Sequence, residues 1–200
     1  MRDAQNITEV SALKPDYLGF IFYPKSPRYV GQDWDPNIIA QIPDGITCVG
    51  VFVNENIGFI MSTCHKYNIK TVQLHGKETP RFCSQLQRKG YTVFKAFQVD
   101  DDTTLDDLLP YQDHCDYFLY DTKSNALGGS GQKFNWAKLN ELNVAGPFLL
   151  SGGITNADVN EIKSLNLPKL KGVDINSKFE LKPALKDIKL LETFMNNMKQ

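Results

Sequence analysis

Asp121 closes a short apolar and aromatic run at residues 117–120, and Gly128, Gly129, Ser130 and Gly131 follow closely. Such a run reads as a buried strand, and a carboxyl group at its tip is rigidly mounted. Glycines allow backbone N–H groups to come close to a ligand. Together they offer proton transfer beside a loop, although the same residues would also serve if Asp121 capped a turn and the glycines closed it.

Other residues with chemical potential stand at the ends of similar runs. Pro24 and Pro27 stiffen a loop that holds Lys25, Ser26 and Arg28 in place. The guanidinium of Arg28 is a fork suited to a carboxylate, unless it is simply an exposed surface arginine. His75 and Gly76 end the run 71–74, where the imidazole could meet a ligand or anchor the loop. Lys95 lies inside the run 92–97 and could enter a ligand chamber, pair with an acid such as Asp121, or face solvent. Ser151, Gly152 and Gly153 precede a helix start at Thr155 or Asn156 and form either an anion cradle or a tight turn.

These side chains need a scaffold of strands and helices, and the sequence alternates the two. Helical spacing at 2–13 comes first, with no strand ahead of it. Strand-like runs follow at 17–22, 47–53, 71–74, 92–97, 117–120, 147–150 and 172–175, separated by helical segments at 33–41, 57–67, 80–89 and 136–142, and the chain closes on an amphipathic helix at 185–195. Thr79 is a candidate N-cap, and the aspartates 100, 101, 102, 106 and 107 suit a solvated helix start. The pattern predicts one α/β domain spanning residues 1–200 with a parallel sheet, better matched by a (β/α)8 TIM barrel lacking its first strand than by a doubly wound sheet, since no GxGxxG follows the first strand.

Composition narrows the function. With 22 Lys and Arg against 23 Asp and Glu, the formal charge is −1 and no basic field exists for nucleic acid or an anionic membrane. No apolar run is long enough to span a bilayer, so a cytoplasmic protein is expected. Cys48, Cys64, Cys83 and Cys115 lack metal-ligand spacing and are expected reduced, with Cys48 a core filler. The three histidines form no HxxxH pair, and no metal is expected.

The segments FIFYPKSPRYV, VGVFVN, VQLHG, FLYDT, GGSGQKFNW, LSGGI and GVDINSKFE, in this order, make the chain resemble the phosphoribosylanthranilate isomerase family of tryptophan biosynthesis from end to end. The resemblance implies a cofactor-free Amadori rearrangement of a small phosphosugar–anthranilate substrate, by a monomer or homodimer. It implies that Asp121 is the general acid on the furanose ring oxygen, that Arg28 meets the anthranilate carboxylate, and that backbone N–H groups of Gly152, Gly153, Ser177 and Lys178 hold the phosphate. His75 and Gly129 are further candidates for the substrate site, and Asp174, just before the phosphate loop, is a candidate for orienting it.

The sequence departs from the family in two places. The family's general base is a cysteine in a KxCGM or KxCGI segment ending the first strand, and none of the four cysteines stands there; Met1 and Arg2 look like the last residues of such a segment. The expectation is a barrel without its first strand and with impaired turnover, or a phosphosugar-binding barrel without turnover. Lys178 stands where the family usually has glycine, and either adds charge to the phosphate site or faces solvent.

Overall fold

The computed structural model describes residues 1–100, 102–122, 136, 139 and 146–199. Gly129 and most of the expected helix at 136–142 lie outside the described residues. Helix α1 (Ala4–Ala12) leads into β1 (Tyr17–Ile21), α2 (Asn37–Ala40), β2 (Thr47–Phe52), α3 (Ile57–Lys66), β3 (Thr71–Leu74), α4 (Pro80–Arg88), β4 (Thr92–Val99), α5 (Leu105–Leu108) and β5 (Tyr117–Thr122). Then come β6 (Phe148–Leu150), α6 (Val159–Ser164), β7 (Leu170–Val173), the short strands β8 (Glu180–Lys182) and β9 (Leu185–Lys186), and α7 (Ile188–Lys199).

Among the described residues, seven strands form one sheet in the order β1 to β7, each parallel to the next. Parallel neighbours need a crossover, and among the described residues helices supply it, covering one sheet face. The other face curls inward: Tyr17 on β1 meets Phe94 on β4 with ring centroids 5.3 Å apart, although three strand pairings separate them. Phe94, Ala96, Leu119 and Leu149 make a small inner core, while Phe20, Phe52, Leu74, Val93, Phe118, Tyr120 and Leu150 face outward into the larger core under the helices. Burying each such side chain contributes about 1.5–3 kcal/mol. The sheet's edges are β1 and β7, and Met1 is buried near the β1 edge, its amino group donating to Gly19 O at 3.3 Å.

Local signals set the helix starts. Asp3, Asn56 and Thr79 each accept a backbone N–H at the N-terminus of α1, α3 and α4. Thr104 and Asp107 form a capping box at α5, as the acidic run led one to expect. Three expectations are corrected. The helix at 33–41 shrinks to Asn37–Ala40, because Pro36 and Pro43 bracket it. The closing helix begins at Ile188, because Leu185 and Lys186 pair with β8 as an antiparallel ribbon. The last sheet strand ends at Val173, so Asp174 stands one residue past it, its N–H donating to Leu150 O at 2.8 Å.

Candidate active site

The two-residue period of β5 puts Tyr117, Leu119 and Asp121 on the inner face, where all three line a cavity of about 1520 Å³. The same cavity is lined by Arg28, His75, Gly152, Gly153, Asp174, Ser177 and Lys178. Every site residue expected from the sequence and described by the structure therefore reaches one space, from the C-terminal ends of β1, β3, β5, β6 and β7. That is the end of a parallel barrel at which loops converge. The cavity also runs down beside β1 and β7, past Leu18, Val173, Leu191 and Phe194.

Asp121 and His75 meet across the mouth, with Asp121 Oδ2 3.3 Å from His75 Nε2. Gln73, one inward position earlier on β3, places its amide nitrogen 3.2 Å from His75 Nδ1. Where the Gln73 amide donates to Nδ1, a neutral imidazole carries its proton on Nε2, the nitrogen that faces Asp121. The turn carrying His75 is pinned from below. Glu78 accepts from the N–H groups of Asn54 at 2.8 Å and Gly76 at 2.9 Å. Gly76 has to be glycine, because a Cβ there would lie 2.7 Å from the Asn54 backbone nitrogen.

Lys95 neither enters the cavity nor faces solvent, which corrects two of the alternatives held open for it; it pairs with an acid, but with Glu78 and not Asp121. It projects to the outer face of β4, donating to Gly76 O and Ala96 O at 2.8 Å each and to Leu74 O at 3.2 Å, with Glu78 Oε2 at 3.4 Å. A buried ammonium persists because carbonyls and a carboxylate use its donors.

Two turns lie side by side at the ends of β6 and β7. Gly152 and Gly153 have φ of 92° and 68°, left-handed values that glycine adopts without strain. Thr155 donates its N–H and Oγ to Asp158 at 2.7 and 2.9 Å, closing the first turn. Ser177 and Lys178 are exposed in a 3-10 turn after β7. Between the turns, Ser151 Oγ approaches Asp174 Oδ2 at 3.4 Å. Burial raises the Asp174 carboxyl above its usual range and the Asp121 charge adds to this, against the pull of His75 and Lys186.

Arg28 donates Nε to both oxygens of Glu180, at 3.0 and 2.9 Å, and Nη2 to one at 2.7 Å. Burial alone would raise the Glu180 carboxyl, but the Arg28 hydrogen bonds and the Lys186 and Arg28 charges outweigh it and hold it below its usual range. Sequence reasoning missed Gln73, Glu78, Glu180 and Lys186. For Glu180 a weak signal existed in its place three residues past Ser177, on a segment that must leave the site.

None of the four cysteines lines the cavity. Cys64, Cys83 and Cys115 are buried, and Cys48 is half-buried at the start of β2. Burial pushes the thiols of Cys48 and Cys64 up to about 11 and about 12. Among the described residues no group of three or more His, Cys, Asp or Glu could hold a metal ion. No helix among them is long and apolar enough to cross a membrane.

The family model for N-(5′-phosphoribosyl)anthranilate isomerase matches residues 1–197. A relative from Parabacteroides distasonis, an N-(5′-phosphoribosyl)anthranilate isomerase, is 39% identical over 204 residues, covering 99% of this chain and 90% of the relative. The solved phosphoribosylanthranilate isomerase of Thermotoga maritima is 29% identical, with a TM-score of 0.88, and the match covers 100% of this chain and 95% of that one. A further solved isomerase of this kind, 28% identical with a TM-score of 0.85 over 100% of this chain and 95% of its own, was crystallised with reduced 1-(o-carboxyphenylamino)-1-deoxyribulose 5-phosphate. The curled parallel sheet is thus of the TIM-barrel type of these enzymes. By sequence coverage and by fold, this chain belongs to the N-(5′-phosphoribosyl)anthranilate isomerase family, isomerases of tryptophan biosynthesis.

Proposed function

We propose that the chain converts N-(5′-phosphoribosyl)anthranilate to 1-(2-carboxyphenylamino)-1-deoxyribulose 5-phosphate by a cofactor-free Amadori rearrangement. Asp121 protonates the furanose ring oxygen as the nitrogen lone pair forms the C1=N bond and the ring C–O bond breaks. Loss of the C2 proton sends that electron pair into C1=C2 and returns the C1=N pair to nitrogen; proton gain at C1 with loss of the C2 hydroxyl proton then leaves the ketone, so C2 is oxidised and C1 reduced. Arg28 takes the anthranilate carboxylate, and the phosphate rests on N–H groups of Gly152, Gly153, Ser177 and Lys178. Gly129 belongs to the same proposed site, and Asp174 orients the phosphate turns. What carries this reading is that an acid, a guanidinium and two anion-cradling turns line one cavity at the strand ends.

The finer reading concerns the C2 proton. We propose that its acceptor is not one of this chain's cysteines, and that the barrel position between β7 and β1, where the family has a cysteine-bearing strand, is unfilled by these residues. It is supported by the edges at β1 and β7 and by the placement of all four cysteines away from the cavity. A positioned base contributes on the order of 10²- to 10⁴-fold. Turnover measured beside the Parabacteroides distasonis relative should fall short by that factor, and equal rates would refute the finer reading. The same placement of the cysteines favours a second reading, a phosphosugar-binding barrel without turnover. Tight binding of the reduced product, with no aminoaldose consumed at long incubation, would select it.

A further inference from the structure

A guanidinium carries five N–H donors arranged in two usable forks, one formed by Nε with an Nη and the other by the two Nη groups. In Arg28 the first fork is taken by Glu180, while Nη1 has no partner among the described residues, and the side chain lines the cavity. Glu180 is itself fixed. Its carboxylate is 3% exposed and also accepts from Ala184 N–H at 3.2 Å and Lys186 Nζ at 3.3 Å. Lys186 reaches on to Asn176 O and Oδ1 at 3.0 and 2.6 Å, and Asn6 clamps its backbone N–H and C=O at 2.7 and 3.0 Å. Arg28 thus keeps donors beside the cavity that suit one further carboxylate.

We infer that Glu180 is a positioning residue that sets specificity for the anthranilate carboxylate: by filling the Nε side of Arg28, it turns the remaining Nη fork toward the cavity. The inference rests on the reading of Arg28 given above. Its physical content is preorganisation, since a long side chain otherwise free among many rotamers is held in one before ligand arrives.

The test compares two probes by titration calorimetry: reduced 1-(2-carboxyphenylamino)-1-deoxyribulose 5-phosphate and the same compound without the ring carboxylate. Disturbance of the phosphate turns weakens both alike, so the ratio of affinities isolates the carboxylate end. The native chain should favour the carboxylated probe by about 10- to 100-fold, the range of a charge-assisted bidentate contact. Arg28→Met should erase the preference. Glu180→Gln should cut it at least about fivefold while binding of the carboxylate-free probe stays within about threefold, and Glu180→Asp should restore part of it. A preference lost in Arg28→Met but intact in Glu180→Gln overturns the inference and leaves the Arg28 reading standing. A preference intact in Arg28→Met removes both. Tighter binding of the carboxylated probe by Glu180→Gln would mean that Glu180 competes for Arg28, which also overturns the inference. Should Glu180→Gln fail to fold, Glu180→Met, which also removes the charge, decides by the same ratio, and an unchanged ratio there is a refutation.

Discussion

Two cation–carboxylate pairs, Lys95 with Glu78 and Arg28 with Glu180, tie distant parts of the chain together, and they differ in what they leave over. Around Lys95 the donors are used by three backbone carbonyls and Glu78, both side chains being 2–3% exposed. Around Arg28 one fork is satisfied and Nη1 remains beside a cavity, at 22% side-chain exposure. The first pair is sealed, and its effect is to hold the turn bearing His75. The second is open on one side. The same charges thus give a brace in one place and a receptor in the other, decided by how many donors the fold leaves unused.

Breaking the sealed pair should have the largest effect on stability. Lys95→Met strands a buried carboxylate at Glu78 and is expected to cost about 3–5 kcal/mol, read by urea unfolding, with Lys95→Met/Glu78→Gln recovering part of the loss. The ratio of affinities for carboxylated and carboxylate-free ligands should stay the same. Arg28→Met should show the reverse, losing about 1.5–3 kcal/mol of binding to the carboxylated ligand. Its stability should change less than that of Lys95→Met, because Glu180 keeps Lys186 and the Ala184 N–H.

A smaller effect separates two carboxyls by the sign of their pH dependence. Glu180 is held below its usual 4.5, so the unfolded chain takes up its proton first; the stabilisation is full above that value and is lost as pH falls through the folded value. Asp174 is raised above 3.8, so its folded form binds the proton more tightly, and stability declines as pH rises from 3.8 through the folded value. Unfolding curves from pH 3 to 7 should therefore show Glu180→Gln losing stability near neutrality and Asp174→Asn gaining it, both differences shrinking toward acid. Equal signs for the two variants would contradict the assignment.

Much of this site was legible in the sequence because strand ends advertise themselves. Apolar runs stop abruptly at His75, Asp121 and Ser151, and in a parallel barrel such ends converge whatever lies between them. The direction of Lys95 was not legible, since VFKAF is apolar on both sides and its two-residue period does not say which face looks inward. Glu78 and Glu180 escaped notice for a different reason. Each acts through a partner 17 or 152 residues away in sequence, and no local pattern encodes such a pairing. The start of the closing helix is not legible either, because Leu185 continues its apolar stripe while its backbone pairs with β8.

In the proposed reaction a single carboxylic acid, Asp121, opens the sugar ring. The most direct test is to measure the rate of aminoaldose consumption in Asp121→Asn beside the unmodified chain, together with the affinity of each for the reduced product. In Asp121→Asn kcat should fall by about 10²- to 10⁴-fold while that affinity changes by less than about threefold. An Asp121→Asn protein that isomerises at the unmodified chain's rate would contradict it.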